Sequence, residues 1–158
     1  AGKSTFFKCL TGQLIATSGD VLIRDITMTG REPHDIAGLG VGIKTQVPNL
    51  FDGLSAEENL WLSARRWHED KRASSLVKET IERLELGDIR LSLVGSLAHG
   101  QRQRVELGMV VAADPWLVLL DEPAAGMTEE ETYKTAELIK EINQTSALIV
   151  VEHDMNFM

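Results

Sequence analysis

The sequence predicts an α/β fold built on a parallel sheet, and three observations carry that expectation. Two apolar runs, residues 116–120 and 147–151, bracket an amphipathic stretch, residues 129–144. That is the pattern of a βαβ unit, whose strands lie parallel. Both runs end in polar clusters, Asp121-Glu122 and Glu152-His153-Asp154, at the edge where open α/β sheets place their ligand sites. The chain also opens on Gly2-Lys3-Ser4-Thr5, a glycine and a lysine at a predicted helix start, where free backbone N–H groups attract anions.

The elements follow in order. Residues 3–10 read as a short helix stopped by Gly12. Residues 19–24 read as a strand after a turn. Residues 27–40 are rich in turn formers, with a short helix after Pro33, and residues 41–44 form a second strand. Ser55 opens the next helix, and Glu58 three residues on completes a capping box. A charged link, residues 67–72, leads to another helix ending near Leu84. Residues 55–96 therefore form a helical block. Residues 100–113 read as a helix closed by Asp114-Pro115, and residues 116–120 as a buried strand. Three leading glutamates, Glu129, Glu130 and Glu131, suit the positive end of the helix over 129–144. Tyr133, Ala136, Leu138, Ile139 and Ile142 supply its apolar face. Residues 147–151 read as a further buried strand.

Composition narrows the function. A hydrophobic share of 43% in 158 residues is enough for one domain with a core. The net charge of -8 argues against a nucleic-acid partner held by phosphate contacts, which needs a basic face. The single cysteine, Cys9, allows no internal disulfide, as suits a reducing compartment. No apolar run reaches the roughly 18–20 residues that cross a bilayer, so any crossing falls to another chain. Because Ala1 already lies within a motif, the amino end is expected to be a truncation.

Three segments carry chemistry. Gly2-Lys3-Ser4-Thr5 is the second half of a phosphate loop, in which lysine reaches the β- and γ-phosphates and the hydroxyl binds Mg²⁺. Asp121-Glu122, where a strand opens into a pocket, pairs a metal-holding carboxylate with a general base. Leu97-Ala98-His99-Gly100-Gln101 places a glycine just before a helix, exposing backbone donors to an anion. Singly, each has a plain structural reading: a lysine near a helix start, an acidic turn before Pro123, a glycine-bearing helix cap.

In order, with Gln46 between the first two and His153 after them, these motifs resemble the ATP-binding cassette (ABC) family over essentially the whole chain. The resemblance implies a P-loop NTPase fold with a parallel-sheet core, a small antiparallel part and a helical subdomain, incomplete here. Residues 1–54 would run from the end of Walker A to the Q-loop. Residues 55–96 would be the helical subdomain, and residues 97–158 would carry the signature, Walker B, D-loop and H-loop. Gly2, Lys3, Ser4 and Thr5 would bind ATP, and Gln46 would be the Q-loop glutamine, touching Mg²⁺ and the attacking water. Leu97 to Gln101 would be the signature that meets the ATP of a partner subunit. Ser4, Gln46 and Asp121 would serve Mg²⁺, Glu122 would activate water, and His153 would contact the γ-phosphate.

The resemblance further implies a dimer of ATPase subunits, transmembrane permease subunits, a solute-binding protein acting indirectly, and a place on the inner face of the plasma membrane. Ala98 and His99 depart from the usual LSGGQ, and Thr45 from the phenylalanine usual before the Q-loop glutamine. His99, Glu106-Leu107-Gly108-Met109 and Gly126-Met127-Thr128 resemble urea-transporter ATPases within the branched-chain amino acid branch. Importing urea is therefore the first expectation, with branched-chain amino acids as the alternative. Two rivals stand beside transport: a cassette ATPase of DNA repair or translation, and a nucleotide-binding domain without catalysis. Lacking the front of Walker A, the chain as given is expected to hydrolyse ATP poorly or not at all.

Overall fold

The computed structural model describes residues 2–153. Ala1 of the first motif, and Asp154 and Met155 beyond the last, lie outside the described residues. The order is α1 (Lys3–Leu10), β1 (Leu22–Ile23), β2 (Ile26–Thr27), α2 (Pro33–Ala37), β3 (Val41–Lys44), α3 (Ala56–Arg65), α4 (Asp70–Arg83), a 3₁₀ turn (Val94–Ser96), α5 (His99–Ala112), β4 (Leu117–Asp121), α6 (Glu129–Ile142) and β5 (Ala147–Val151).

A three-stranded parallel sheet, ordered β3-β4-β5, positions the site. β4 is its central strand, and its residues alternate between two cores. Val118 and Leu120 face a cluster with Leu60, Leu84, Leu86 and Leu107 from the helical block and α5. Leu117 and Leu119 face a second cluster with Phe7, Met28, Ile36 and Val41. Burial on both faces accounts for the unbroken apolar run of β4. Each fully buried leucine contributes roughly 1.5–3 kcal/mol, so the strand that carries the acidic pair is also firmly anchored.

β5 corrects an expectation. It is the outer strand of the sheet among the described residues, and only Val151 is fully buried, while Ile149 stays 37% exposed. The expected strand at 19–24 shrinks to Leu22–Ile23, which pairs antiparallel with Ile26–Thr27. Arg24 and Asp25 between them both have positive φ, 49° and 63°, the requirement of a two-residue hairpin turn whose twist matches its strands. The Arg24 guanidinium lies over the Trp116 ring at 3.7 Å, pinning this hairpin to the residue before β4.

The helical block starts as its capping box dictates. Ser55 Oγ accepts the Glu58 N–H, and Glu58 Oε2 accepts the Ser55 N–H at 2.7 Å. α4 begins at Asp70, inside the stretch read as a link. On α6 the buried stripe is Thr135, Ile139 and Ile142, whereas Tyr133 is 67% exposed. Positions 135, 139 and 142 share one helical face and Tyr133 lies off it. Thr135 sits on that face with its hydroxyl 3.2 Å from the Met127 sulfur.

Candidate functional site

The carboxyl ends of the three parallel strands and the amino end of α1 form the site. β3 ends at Lys44, whose register partner is Leu120, and Asp121 pairs in register with Val151. Parallel pairing alone therefore brings the residues after Lys44, Leu120 and Val151 to one edge. Gly2 caps α1 in the left-handed region, φ 89°, a conformation that glycine adopts without steric cost. No Cβ built there would meet any atom within 4 Å. The first amides of α1 have no intrahelical partner, and they open onto this edge beside Lys3.

Lys3, Glu122 and His153 lie together at this edge. The Lys3 ammonium donates to the Glu152 carbonyl at 2.6 Å, across the head of β5. Glu122 Oε1 lies 2.8 Å from His153 Nε2. Glu122 itself has φ 48°, a strained conformation for a side-chain-bearing residue, at about 1–3 kcal/mol. Its backbone N–H donates to Val151 at 2.8 Å, and its carbonyl accepts the Ala125 N–H at 3.1 Å. Those two bonds hold the kink that turns its carboxylate toward His153.

Asp121 is 4% exposed, and its Oδ1 is buried without a hydrogen-bond partner. Burial pushes its carboxyl above the usual range, and the neighbouring Glu122 charge pushes the same way. His153, Lys8 and Lys44 act against both. A buried, unpaired carboxylate oxygen beside a second acid is the donor a hard cation takes. The residues present therefore fit Mg²⁺.

Gln46 stands two residues beyond β3 at the same edge, but its side chain is exposed. Among the described residues it makes no hydrogen bond to Asp121, Glu122 or His153. Ser4 and Thr5 lie in the first turn of α1. The glycine loop differs from its expectation. Gly100 does not precede the helix but is the second residue of α5, and it is buried. Glu131, at the start of α6, fills the space where a Gly100 side chain would stand. His99 Nε2 lies 3.1 Å from the Ala125 carbonyl. The corner after Asp121-Glu122 thus folds back onto the start of α5, leaving Ala98 and His99 exposed with Leu97 and Gln101 half-buried. Gln101 accepts the Ala98 N–H at 3.0 Å and caps the helix.

Sequence reasoning missed two features here. Glu152 braces the corner: Oε1 accepts the Ala124 N–H at 3.1 Å and Oε2 the His153 N–H at 3.0 Å. An acid between a strand and a histidine was its only sequence signal. Lys44 and Glu106 form a buried ion pair at 3.2 Å. A lysine at a strand end and a glutamate amid α5 gave no sign of meeting.

Beside the sheet lies a cleft of about 680 Å³, with Val47, Phe51, Leu62 and Trp67 on its walls. Among the described residues, no helix is long and apolar enough to cross a membrane.

Comparison with known proteins supplies a family. The ABC transporter family model matches residues 1–125. The high-affinity branched-chain amino acid transport ATP-binding protein LivG of Escherichia coli (strain K12) is 31% identical, across 100% of this chain and 69% of its own length. BraF of Pseudomonas aeruginosa, carrying the same description, is 29% identical over the same shares. Among solved structures, the dimeric post-hydrolysis state of the ATP-binding cassette MJ0796 bound to ADP and Pi superposes with TM-score 0.83 at 25% identity, covering 99% of this chain and 72% of that one. The ADP conformation of the cassette MJ1267 gives TM-score 0.81 at 23% identity, covering 99% and 67%, a likeness of fold.

Proposed function

This chain belongs to the ABC transporter family, as an ATP-binding cassette, and we propose that it powers an importer of branched-chain amino acids by hydrolysing ATP. One observation carries the ATPase reading. Lys3, the buried Asp121 and the Glu122–His153 pair meet at the sheet edge onto which the free amides of α1 open. The solute class rests on the relatives, since LivG and BraF are branched-chain amino acid transport proteins by description. These comparisons support the branched-chain alternative over urea. His99, the Glu106–Met109 stretch and the Gly126–Thr128 stretch are the features that speak for urea.

In the proposed reaction the α1 amides, Lys3, Ser4 and Thr5 hold the triphosphate. Asp121, Ser4 and Gln46 would hold Mg²⁺, which when bound neutralises phosphate charge. Glu122 takes a proton from water as its oxygen bonds to the γ-phosphorus and the bond to the bridging oxygen of ADP breaks. His153 gives up its bond to Glu122 and donates to a γ-phosphate oxygen. Most of the rate enhancement comes from positioning and charge stabilisation. The exposed start of α5 at Ala98 and His99 faces the ATP of a second cassette subunit; the similar cassette MJ0796 is a dimer by its description. The apolar cleft at Val47, Phe51, Leu62 and Trp67 receives a cytoplasmic segment of the permease, which sets the subunit on the inner face of the membrane.

The test is reconstitution of the full-length protein with its permease and binding protein in vesicles. Hydrolysis stimulated by leucine, isoleucine or valine is the expected result. Stimulation by urea alone reassigns the solute, and absence of ATP hydrolysis removes the ATPase reading.

A further inference from the structure

Lys44 and Glu106 take no part in the chemistry above, yet both are charged and buried. Lys44 ends β3 and Glu106 lies midway along α5, with side chains 2% and 7% exposed and Nζ 3.2 Å from Oε2. The other carboxylate oxygen of Glu106 accepts the Asn49 N–H at 3.2 Å. One helical turn earlier on α5, Arg102 pairs with Asp52 at 2.8 Å and donates to the Val94 carbonyl at 2.9 Å. The Asp52 carbonyl in turn accepts the Gly95 N–H at 3.0 Å. Two α5 side chains, four residues apart and so on one face, thus grip the Gln46 loop at its entry, middle and exit.

Stability alone does not account for this pair. Dehydrating two charges cancels much of their attraction, and apolar side chains of similar volume often serve a core as well or better. Leu60, Val105 and Leu107 already pack around this part of α5. What a buried, hydrogen-bonded pair adds is a fixed register between two elements, since sliding either one would strand a buried charge.

We propose that the Lys44–Glu106 pair is a latch that holds the Gln46 loop to α5, so that the loop, toward this copy's nucleotide, and the start of α5, toward the partner's, move as one body. Neither residue touches substrate; both are positioning residues. The latch rests on the ATPase reading for its purpose but not for its geometry.

The test uses full-length protein assembled with its permease and compares the parent with the double variant Lys44→Met/Glu106→Leu. This variant removes both charges and leaves neither stranded. Kinetics are expressed per folded molecule. A second readout, taken on the full-length subunit without its permease, is the distance between spin labels at Val47 and Glu79 on α4, both exposed, in a Cys9→Ser background. The double variant is expected to keep KM for ATP within about twofold and to lose roughly ten- to a hundredfold in kcat, the size of effect that sub-ångström to ångström misplacement produces. Its label distance should broaden. Parental kcat together with a single sharp distance in the double variant overturns the latch. If the parent itself fails to hydrolyse ATP, the ATPase reading falls and the label distance alone decides. Broadening then upholds the latch, and an unchanged distance overturns it.

Discussion

Glu122 and Asp121 are neighbours with opposite demands. Glu122 is half-buried, kinked into the left-handed region and hydrogen-bonded to His153, which suits a base that must exchange protons. Replacing it by Gln preserves shape and removes basicity. Glu122→Gln is expected to leave ATP binding intact and to lower kcat by about a hundredfold or more, read by nucleotide titration beside steady-state hydrolysis. Asp121 is held where burial and a like charge raise its pKa. A raised carboxyl favours folding fully below its ordinary pKa, and that contribution is lost as pH rises through the raised value. Asp121→Asn in the metal-free, nucleotide-free protein is therefore expected to raise Tm at pH 7. The gain should shrink as pH falls toward about 4. A Tm lower than the parent's at pH 7 would contradict the stated balance of burial and charge.

At the scale of elements, close packing and caps decide more than composition. Gly42 lies in β3 where an added Cβ would sit 2.6 Å from Val110 Cγ1 and 3.1 Å from the Pro115 ring. Gly42→Ala is expected to destabilise by about 1–3 kcal/mol through overpacking between sheet and α5, measured by urea unfolding of the full-length protein. Ser55→Ala removes one bond of the α3 capping box and is expected to cost about 1 kcal/mol with the denaturant slope unchanged. These elements were legible because local rules settle them: Ser55 with Glu58 marks a helix start, and an apolar run on β4 marks a strand buried on both faces. Elements governed by partners elsewhere in the chain were not. Tyr133 matched an apolar label but lies off the α6 stripe that Thr135 completes. The β1–β2 turn uses Arg24-Asp25 rather than a glycine, so its positive φ left no mark in the sequence. The Lys44–Glu106 pair joins residues 62 positions apart, beyond any periodic pattern. The site residues were legible by type and order, but the cover that Glu131 places over Gly100 was not.

For the whole molecule, the parallel sheet turns distant segments into one edge: the start of α1, the loop after β3, the acids at the end of β4 and the histidine after β5. In the proposed function, presenting the start of α5 to a second subunit falls to the corner at Ala125 and Glu131. Lys3 and Glu122 stand ready at the edge, while Gln46 is still exposed and free of the acids. Nucleotide binding is therefore expected to draw Gln46 inward and to clear Glu131 from Gly100. The most direct measurement is a structure of the full-length Glu122→Gln protein with Mg²⁺ and ATP. It should show two copies enclosing two nucleotides, each γ-phosphate within hydrogen-bond distance of Lys3 and His153 of one copy and of the Gly100 turn of the other. A triphosphate seated away from Lys3 and His153, or a Gly100 turn still covered by Glu131 with no nucleotide against it, would contradict the account.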